Sequence, residues 1–317
     1  MWQGVYGHDA VVERFRRSLA ANRLASTYLF VGPQGVGKRR FAEALAKSLL
    51  CQANDPARLD PCGRCHSCVM CAAGTHPDVH VVQRRPDDKV LKLEYFIGPR
   101  EHRNTEGFCH DVSLRPKVGR RSIGIIDDAD WFNEPSANCL LKLLEEPPHG
   151  AVLMLLATTR SRQLPTILSR AQVVPFAPLP VDELAELLLA QQVAPDRTAA
   201  QELAKACRGS LARAREAANP QLALLRDNFA AAWRSGDFDP TSLHKGFDDF
   251  IADGGKVADA RRQRFRQLLV AAGDFLRASL HAACDADEDP EPTIAALDRC
   301  LEAEEQLDRN ANLATLL

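Results

Sequence analysis

A glycine-rich loop near the N-terminus restricts the fold of this chain more than any other feature of its sequence. The segment Gly32–Lys38 reads GPQGVGK, matches the pattern GxxxxGK, follows the apolar run Thr27–Val31 and precedes a segment with helical spacing that begins at Arg39. Between a strand and a helix, such a loop surrounds a phosphate with backbone N–H groups, and the lysine and the helix N-terminus add positive charge. We therefore predict a P-loop α/β fold with a nucleotide site formed by Gly32, Gly35, Gly37 and Lys38.

The residue after the loop lysine departs from this pattern. A serine or threonine normally stands there, and its hydroxyl binds Mg²⁺. This chain has Arg39 instead, and an arginine cannot coordinate a metal. One interpretation is that Arg39 points to solvent and a water replaces the hydroxyl, which would leave nucleotide binding intact but weaken metal-dependent hydrolysis.

The second part of a site of this kind is an acid at the end of another strand. The apolar run Ser122–Ile126 is followed directly by Asp127 and Asp128. Such an acid holds Mg²⁺ through water, so we assign this role to Asp127. Asp128 then occupies the neighbouring position, from which an acid activates the attacking water.

The first half of the sequence alternates apolar, β-branched runs with helical patterns, as a parallel sheet with crossover helices does. The predicted strands are Thr27–Val31, Val79–Val82, Ser122–Ile126 and Val152–Ala157, and the predicted helices include Arg39–Leu50 and Ser136–Leu144. Asn133 and Pro135 fit the start of the second helix. The loop-rich stretch at residues 87–117 supports no functional assignment.

The sequence changes character after the proline-rich stretch Pro175–Pro180. Alanine- and leucine-rich helical patterns follow, and no further strand is indicated. We therefore predict an α/β domain followed by a small helical domain and an all-helical C-terminal domain, with boundaries at residues 1–176, 177–219 and 220–317.

A cluster of cysteines indicates a metal site, because cysteines of a cytoplasmic chain are mostly reduced. Three of the ten cysteines stand at CxxC spacing within residues 62–68, and a fourth lies upstream at the end of the helix after the phosphate loop. Four thiolates complete the coordination of Zn²⁺, which makes such a site structural. His66 and Cys71 are alternative fourth ligands, and a redox pair is the alternative to a metal. We predict a zinc module at about residues 51–71 with the ligands Cys51, Cys62, Cys65 and Cys68.

Charge and hydropathy narrow the class of protein. The formal net charge is −2, which disfavours a protein that coats DNA alone, because such binding needs many phosphate-neutralising cations. The first fifteen residues include Asp9, Glu13 and Arg14 and contain no long apolar run, and no later run approaches the roughly 18 apolar residues of a membrane span. We expect a cytoplasmic protein without a membrane partner.

Taken together, these motifs resemble those of the bacterial DNA polymerase III clamp-loader family, whose members are AAA+ proteins. The similarity extends from Val5 to about Arg213 and is looser beyond. Besides the phosphate loop, the cysteine module and the acidic strand end, it rests on Gly7–Asp9, Gly74–Asp78, Leu140–Pro148, Leu156–Arg160 and Leu164–Arg170. The resemblance implies that the three predicted domains are a P-loop AAA+ domain with an inserted zinc module, a helical lid and a helical collar for oligomerisation.

The resemblance also implies roles for single residues. In the family, a segment ending in Ser-Arg carries an arginine finger that reaches into the ATP site of the adjoining subunit, and this matches Arg170. Ala171 replaces the cysteine that usually follows, which leaves the guanidinium free to stabilise phosphate charge. Thr158 or Thr159 matches the polar sensor at a strand end.

Three departures are typical of the delta-prime branch of this family and not of the gamma/tau branch. An active gamma-like subunit would have serine or threonine in place of Arg39, glutamate in place of Asp128, and a nucleotide-sensing arginine in place of Ala212, although Arg213 beside it is a partial substitute. Aspartate is one methylene shorter than glutamate, and small displacements of a catalytic group slow a reaction greatly. The expected site binds ATP or ADP weakly or without hydrolysis.

The resemblance implies partners as well. Members of the delta-prime branch form a five-subunit ring with delta and three gamma/tau copies, which opens the sliding clamp and places it at primed DNA. The chain itself is then neither a polymerase nor a competent ATPase. The alternatives are an active gamma/tau-like ATPase or helicase loader, a P-loop kinase, and a zinc-dependent DNA-binding module with Arg64, Arg84 and Arg85.

Overall fold

The computed structural model describes residues 1–85, 88–237, 239–255, 258–286, 289–308 and 312–316. Its strands are β1 (Thr27–Val31), β2 (Val79–Val82), β3 (Ser122–Ile126), β4 (Ala151–Ala157) and β5 (Gln172–Pro175). Its α-helices are α1 (Asp9–Ala20), α2 (Lys38–Leu50), α3 (His66–Ala73), α4 (Glu94–Ile97), α5 (Phe108–Ser113), α6 (Glu134–Glu145), α7 (Pro165–Leu168), α8 (Val181–Ala190), α9 (Arg197–Ala206), α10 (Leu211–Ala217), α11 (Pro220–Ser235), α12 (Pro240–Ala252), α13 (Ala258–Asp285), α14 (Glu291–Asp308) and α15 (Leu313–Leu316). Short 3-10 turns cover Pro56–Arg58, Arg100–His102 and Ala129–Trp131.

The strands form one parallel sheet in the order β2-β3-β4-β1-β5. Val82 lies opposite Ile126 and Val31 opposite Ala157, so the residues that follow these strands share one edge of the sheet. Every residue of β3 and β4 is buried, as expected for parallel strands with helices on both faces. The predicted parallel sheet with flanking helices is confirmed.

Strand β5 lies outside the four predicted strands. It pairs with β1 from Gln172 opposite Tyr28 to Pro175 opposite Val31. Of its residues only Val174 is buried. A four-residue edge strand that is mostly exposed and ends in proline lacks the continuous apolar run that marks β1, β3 and β4.

The two faces of the sheet have separate apolar cores, because successive side chains of a strand point to opposite faces. Tyr28 and Phe30 of β1 join an aromatic cluster with Phe15 of α1 and Phe41 of α2, in which the rings of Phe30 and Phe41 lie 5.5 Å apart. Leu29 belongs to the core on the other face, which α5 and α6 cover. Helix α2 is therefore fixed on the sheet immediately after the phosphate loop.

Helix α6 starts where the sequence predicts. The side chain of Asn133 accepts a hydrogen bond from the N–H of Ser136 (2.9 Å), and the hydroxyl of Ser136 accepts one from the N–H of Asn133 (3.1 Å). This reciprocal cap satisfies two backbone donors that the first helical turn leaves unpaired. Pro135 stands in that first turn, where its missing N–H costs nothing.

Residues 88–117 pack on the second face of the sheet, and residue 87 lies outside the described residues. Phe96 of α4 and Phe108 of α5 are buried there. Gly124 of β3 makes room for Phe108, since an added Cβ would lie 2.7 Å from the ring of Phe108 and 2.7 Å from Leu153. This stretch, which carries no assigned role in the sequence, thus covers the sheet.

The chain divides into two compact units, Met1–Ala212 and Arg213–Leu317. The first holds the sheet, its flanking helices, and α8 packed against α9. The second is helical in its described residues, with a core formed by Leu222, Phe250, Ile251, Phe265, Leu268 and Leu307. The division into an α/β domain, a lid and a collar stays a prediction. No helix in the described parts of the chain is long and apolar enough to cross a membrane.

Candidate functional site

The phosphate loop joins β1 to α2 and requires glycine at three positions. Gly35 and Gly37 have φ angles of +78° and +99°, which residues with a Cβ rarely adopt. Gly32 has no space for a side chain, because an added Cβ would lie 2.2 Å from the carbonyl oxygen of Phe176. The loop therefore has the backbone that the GxxxxGK motif demands.

Lys38 lies inside this loop and is bonded to it. Its Nζ atom donates to the carbonyl oxygens of Gly32 (2.6 Å) and Pro33 (2.8 Å), and the residue is 9% exposed. Burial lowers the pKa of Lys38, and the carboxylates of Asp127 and Asp130 oppose this shift. A buried ammonium group needs acceptors, and here the loop's own carbonyls supply them.

The tip of the loop is covered by the segment Ser210–Ala212. The hydroxyl of Ser210 donates to the carbonyl oxygen of Gln34 (2.8 Å), and the N–H of Leu211 donates to that of Gly35 (3.1 Å). A Cβ added at Gly35 would lie 2.5 Å from the Ser210 hydroxyl and 2.6 Å from the Cβ of Ala212. The small residues Gly35 and Ala212 let the phosphate loop and the segment Ser210–Ala212 come into contact. Ala212 stands at the position where the sequence analysis expects a nucleotide-sensing arginine in an active gamma-like subunit.

Arg39 is bonded to three side chains of the chain, although its own side chain is 36% exposed. Its Nη1 atom donates to Asp127 Oδ2 (2.9 Å) and Gln83 Oε1 (3.1 Å), and its Nε atom donates to Glu43 Oε1 (2.7 Å). Arg39 thus pairs with protein groups, and the interpretation that a water replaces the missing hydroxyl stays a prediction. The structure joins Arg39 by a salt bridge to Asp127, the acid to which the sequence analysis assigned Mg²⁺.

The second acid of the strand end, Asp128, adopts a left-handed backbone with φ of +57°. Burial raises the pKa of Asp128, and the neighbouring charge of Asp127 adds to the effect. The sequence analysis gave no role to Asp130, whose carboxylate accepts hydrogen bonds from the N–H of Thr158 (2.6 Å) and from Gln163 Nε2 (3.0 Å). Asp130 thus fixes the predicted sensor residue at the end of β4.

The four predicted cysteines come together next to the end of α2. The sulfur atoms of Cys51, Cys62, Cys65 and Cys68 all lie within 4.8 Å of one another. Backbone N–H groups donate to three of these sulfurs. The N–H of Cys62 donates to the sulfur of Cys51 (3.4 Å), that of Cys65 to the sulfur of Cys62 (3.3 Å), and that of Cys68 to the sulfur of Cys65 (3.5 Å). Such a group can hold a metal ion.

The thiols of this group do not ionise alike, since burial raises the pKa of Cys68 while backbone N–H donors lower the pKa of Cys51 and Cys65 overall. Burial opposes ionisation of Cys65, but backbone N–H donors and the adjacent thiols outweigh it and lower the pKa of Cys65 to about 6. Burial raises the pKa of Cys71 to about 11. Neither Cys71 nor His66 belongs to the group of four sulfurs, and Cys71 packs against the aromatic core instead.

The segment Gly74–Asp78 ties the cysteine module to the sheet. His76 Nε2 lies 2.9 Å from the hydroxyl of Ser67, which itself donates to the carbonyl oxygen of Leu50 (2.7 Å). The carboxylate of Asp78 accepts three hydrogen bonds, from the backbone N–H groups of Lys117, Val118 and Gly119. Burial by itself would raise the pKa of Asp78, but these donors lower it overall.

We expect Asp78→Asn to lower the free energy of unfolding by about 2–4 kcal/mol. The reason is that both oxygens of the Asp78 carboxylate accept hydrogen bonds from backbone N–H groups. In asparagine an NH₂ group, which cannot accept them, replaces one of these oxygens. Urea denaturation at pH 7 measures the change. Asp182→Asn is the control, because Asp182 is exposed and its loss should cost less than about 0.5 kcal/mol. Equal stability of both variants would contradict the role of Asp78.

Arg170 is bound within its own chain. Its Nη2 atom donates to Glu145 Oε1 (2.6 Å), and its Nη1 atom donates to the carbonyl oxygen of Thr166 and to the Ser169 hydroxyl, both at 3.0 Å. These partners lie in α6 and around α7, and none belongs to the phosphate loop. Glu145, part of the LLEEPP segment, had no role in the sequence analysis.

Comparisons with known proteins show which proteins this chain is similar to. The model of a family described as DNA polymerase III, delta subunit, matches residues 7–180. The chain is 40% identical over 156 residues to DNA polymerase III subunit delta′ of Pseudomonas aeruginosa, which covers 49% of the chain and 44% of that protein. It is 34% identical over 185 residues to subunit delta′ of Bacillus subtilis, covering 58% and 52%. The chain thus matches about half the length of these curated relatives.

A solved structure shows a related fold. The DNA polymerase III gamma subunit-related protein of Thermotoga maritima superposes with a TM-score of 0.50 at 17% identity, covering 96% of this chain and 95% of that one. At this identity the similarity concerns the fold alone. The family match spans more than half of the chain and includes the phosphate loop, the cysteine group and Arg170. The chain therefore belongs to the family of DNA polymerase III delta subunits, as the resemblance of its motifs to delta-prime proteins implies.

Proposed function

We propose that this chain is the delta-prime subunit of a bacterial DNA polymerase III clamp loader and acts in the cytoplasm. It joins delta and three gamma/tau copies in a five-subunit ring that loads the sliding clamp onto primed DNA during replication. Its own phosphate loop does not hydrolyse ATP, and its Arg170 completes the ATP site of a neighbouring subunit. The observation that carries this proposal is a family match over a phosphate loop in which Arg39 is bonded to the strand-end acid Asp127.

Magnesium, which hydrolytic loops of this fold require, does not fit the residues of this site. The position of the metal-binding hydroxyl holds Arg39, and its guanidinium already bonds the carboxylate of Asp127. Asp128 replaces the glutamate that activates water in the active branch of the family. A loop with these groups retains Gly32, Gly35, Gly37 and Lys38 for the phosphates of ATP or ADP but lacks the means of hydrolysis.

Zinc fits the four cysteines. Sulfur ligands 2.3 Å from a tetrahedral Zn²⁺ lie about 3.8 Å from one another, and the four sulfurs here lie within 4.8 Å. When bound, the ion would hold the loop that precedes α3 against the end of α2. Because all four positions are filled by protein, the metal would be structural and have no place for a substrate.

We assign a separate role to each of three domains of the chain. We assign residues 1–176 to an AAA+ domain, residues 177–219 to a helical lid and residues 220–317 to a collar through which the ring assembles. The lid assignment is supported by Ser210 and Leu211, which bond the phosphate loop. The collar assignment is supported by the helical character of α11 to α15.

Reconstitution tests this function. We expect a mixture of delta and gamma/tau subunits from the same source to load clamps onto primed DNA only when this chain is added, a change of at least about 10²-fold in loading rate. The isolated chain should release phosphate from ATP at the background rate. ATP turnover by the isolated chain at the 1–10³ s⁻¹ common for enzymes would instead identify an active gamma/tau-like ATPase.

A further inference from the structure

The ends of β2 and β3 place two polar side chains next to each other. Val82 lies opposite Ile126 in the parallel register, and the N–H of Asp127 donates to the carbonyl oxygen of Val82 (2.8 Å). Gln83 and Asp127 therefore leave the sheet side by side. The guanidinium of Arg39, from the first turn of α2, bonds both of them through its Nη1 atom.

Arg39 is held in one place by acceptors from three elements. Besides Gln83 and Asp127, Glu43 from the next turn of α2 accepts a hydrogen bond from the Nε atom (2.7 Å). A guanidinium is planar and its donors have fixed directions, so three such bonds fix its orientation. The arginine that replaces the metal-binding hydroxyl is thus a positioned charge.

The turn after β3 is rich in negative charge. Asp127, Asp128 and Asp130 follow one another there, and Lys38 interacts electrostatically with all three. A hydrolytic phosphate loop brings a divalent cation to such a strand end. Here the permanent positive charge of Arg39 meets Asp127 directly, at 2.9 Å between Nη1 and Oδ2.

Both oxygens of the Asp127 carboxylate already accept hydrogen bonds, Oδ2 from Arg39 (2.9 Å) and Oδ1 from the backbone N–H of Asp128 (3.0 Å). Magnesium binds oxygen at about 2.0–2.1 Å and demands nearly octahedral ligands. To bind Asp127, directly or through one of its waters, the ion would have to compete with these donors or displace the Nη1 group, and Arg39 cannot lose its proton to reduce the repulsion. The displaced arginine would also leave Gln83 and Glu43 without their present partner.

We propose that Arg39 is a built-in counter-ion that takes the place of the divalent cation at Asp127, so that this phosphate loop excludes Mg²⁺. The inference rests on the non-hydrolytic loop of the proposed function but makes no use of the ring. Its test measures metal binding by the isolated chain, so its failure and a failure of clamp loading can be told apart.

The test titrates zinc-loaded protein with Mn²⁺, which is paramagnetic, and follows bound metal by electron paramagnetic resonance with and without a non-hydrolysable ATP analogue. In the wild type, Asp127→Asn should leave Mn²⁺ binding unchanged, because the carboxylate is already occupied. Arg39→Thr should tighten Mn²⁺ binding by about tenfold or more. The double variant Arg39→Thr, Asp127→Asn should lose that gain.

Each remaining outcome decides the question. A fall in Mn²⁺ binding when Asp127→Asn is made in the wild type would overturn the proposal, as would an unchanged affinity of a folded Arg39→Thr protein. Arg39→Lys is the matched variant, since it keeps the charge and should still exclude the metal. If Arg39→Thr fails to fold, the wild type, Asp127→Asn and Arg39→Lys still test the proposal. Mn²⁺ bound through Asp127 in the wild type or in Arg39→Lys would contradict it.

Discussion

Cys65→Ser is expected to reduce bound zinc from about one ion per chain to nearly none. Serine is a poor zinc ligand, and the three remaining thiolates leave the tetrahedral site incomplete. Structural zinc sites in small peptides gain about 10–16 kcal/mol from the metal, so its loss should unfold the surrounding segment, residues 51–74. Mass spectrometry of the metal content measures the first effect, and hydrogen exchange of this segment measures the second.

The position of the module predicts how far the damage spreads. The indole N–H of Trp2 donates to the carbonyl oxygen of Leu59 (2.5 Å), and Leu59 is 1% exposed within the aromatic core. Ser67 bonds Leu50 at the end of α2. We therefore expect a lower unfolding temperature of the first unit together with a sheet that remains protected from exchange.

Cys71→Ser is the matched control for the zinc experiment. Cys71 lies in α3 close to the four ligands, but its sulfur is outside their group, and burial keeps it a thiol. The variant should retain its zinc and lose only the packing of a half-buried side chain. Zinc loss from Cys71→Ser but not from Cys65→Ser would replace Cys65 by Cys71 in the ligand set.

The sheet was predictable from sequence where a local pattern determines the structure. Strands β1, β3 and β4 are continuous apolar runs because helices cover both of their faces, and the phosphate loop marks the turn from β1 to α2. The start of α6 follows from Asn133 and Pro135, which stand at its N-cap and in its first turn. Each of these features depends on residues close together in the chain, so the sequence carries the whole signal.

The features that sequence analysis missed depend on contacts between distant residues. Strand β5 exists because β1 offers it an edge, and its own sequence is short and mostly exposed. The absence of a hydroxyl at position 39 is visible in the sequence, but the bond from Arg39 to Asp127 joins residues 88 positions apart. The hydrogen bonds from Asp130 to Thr158 and Gln163 likewise need the strand order of the sheet.

The sequence predicted which residues form the candidate site but not the contacts that hold them in place. The cysteine spacing predicted the group of four sulfurs because CxxC turns bring neighbouring thiols together locally. It did not predict that His76 and Asp78 would connect this module to α2 and to residues 117–119. Those contacts give the segment Gly74–Asp78, which the resemblance singles out, a physical role in holding the module on the sheet.

If Arg170 is the arginine finger proposed above, Arg170→Ala should slow the neighbouring ATP site in the assembled ring by about 10³-fold or more, as removal of an arginine finger does. In that role the guanidinium would stabilise charge that develops on the transferred phosphate, and alanine would leave that charge unmatched. Arg170 is exposed, so the variant should fold normally. Because a ring has several ATP sites, pre-steady-state phosphate release is the proper measurement, and the burst should lose one fast turnover.

The salt bridge from Arg170 to Glu145 separates a finger in trans from a structural role in cis. If the arginine acts on a neighbour, Glu145→Gln keeps the guanidinium and should leave most of the burst, while Arg170→Lys keeps the charge without the planar fork and should recover only part of it. The alternative is that the arginine serves only to hold α6 against the segment before β5. In that case Glu145→Gln and Arg170→Lys should lower the unfolding temperature by similar amounts and leave the burst intact. Arg162→Ala, at an exposed arginine eight residues earlier, controls for loss of surface charge. A full burst from Arg170→Ala rings would remove the proposed role in trans, even if clamp loading still required the chain.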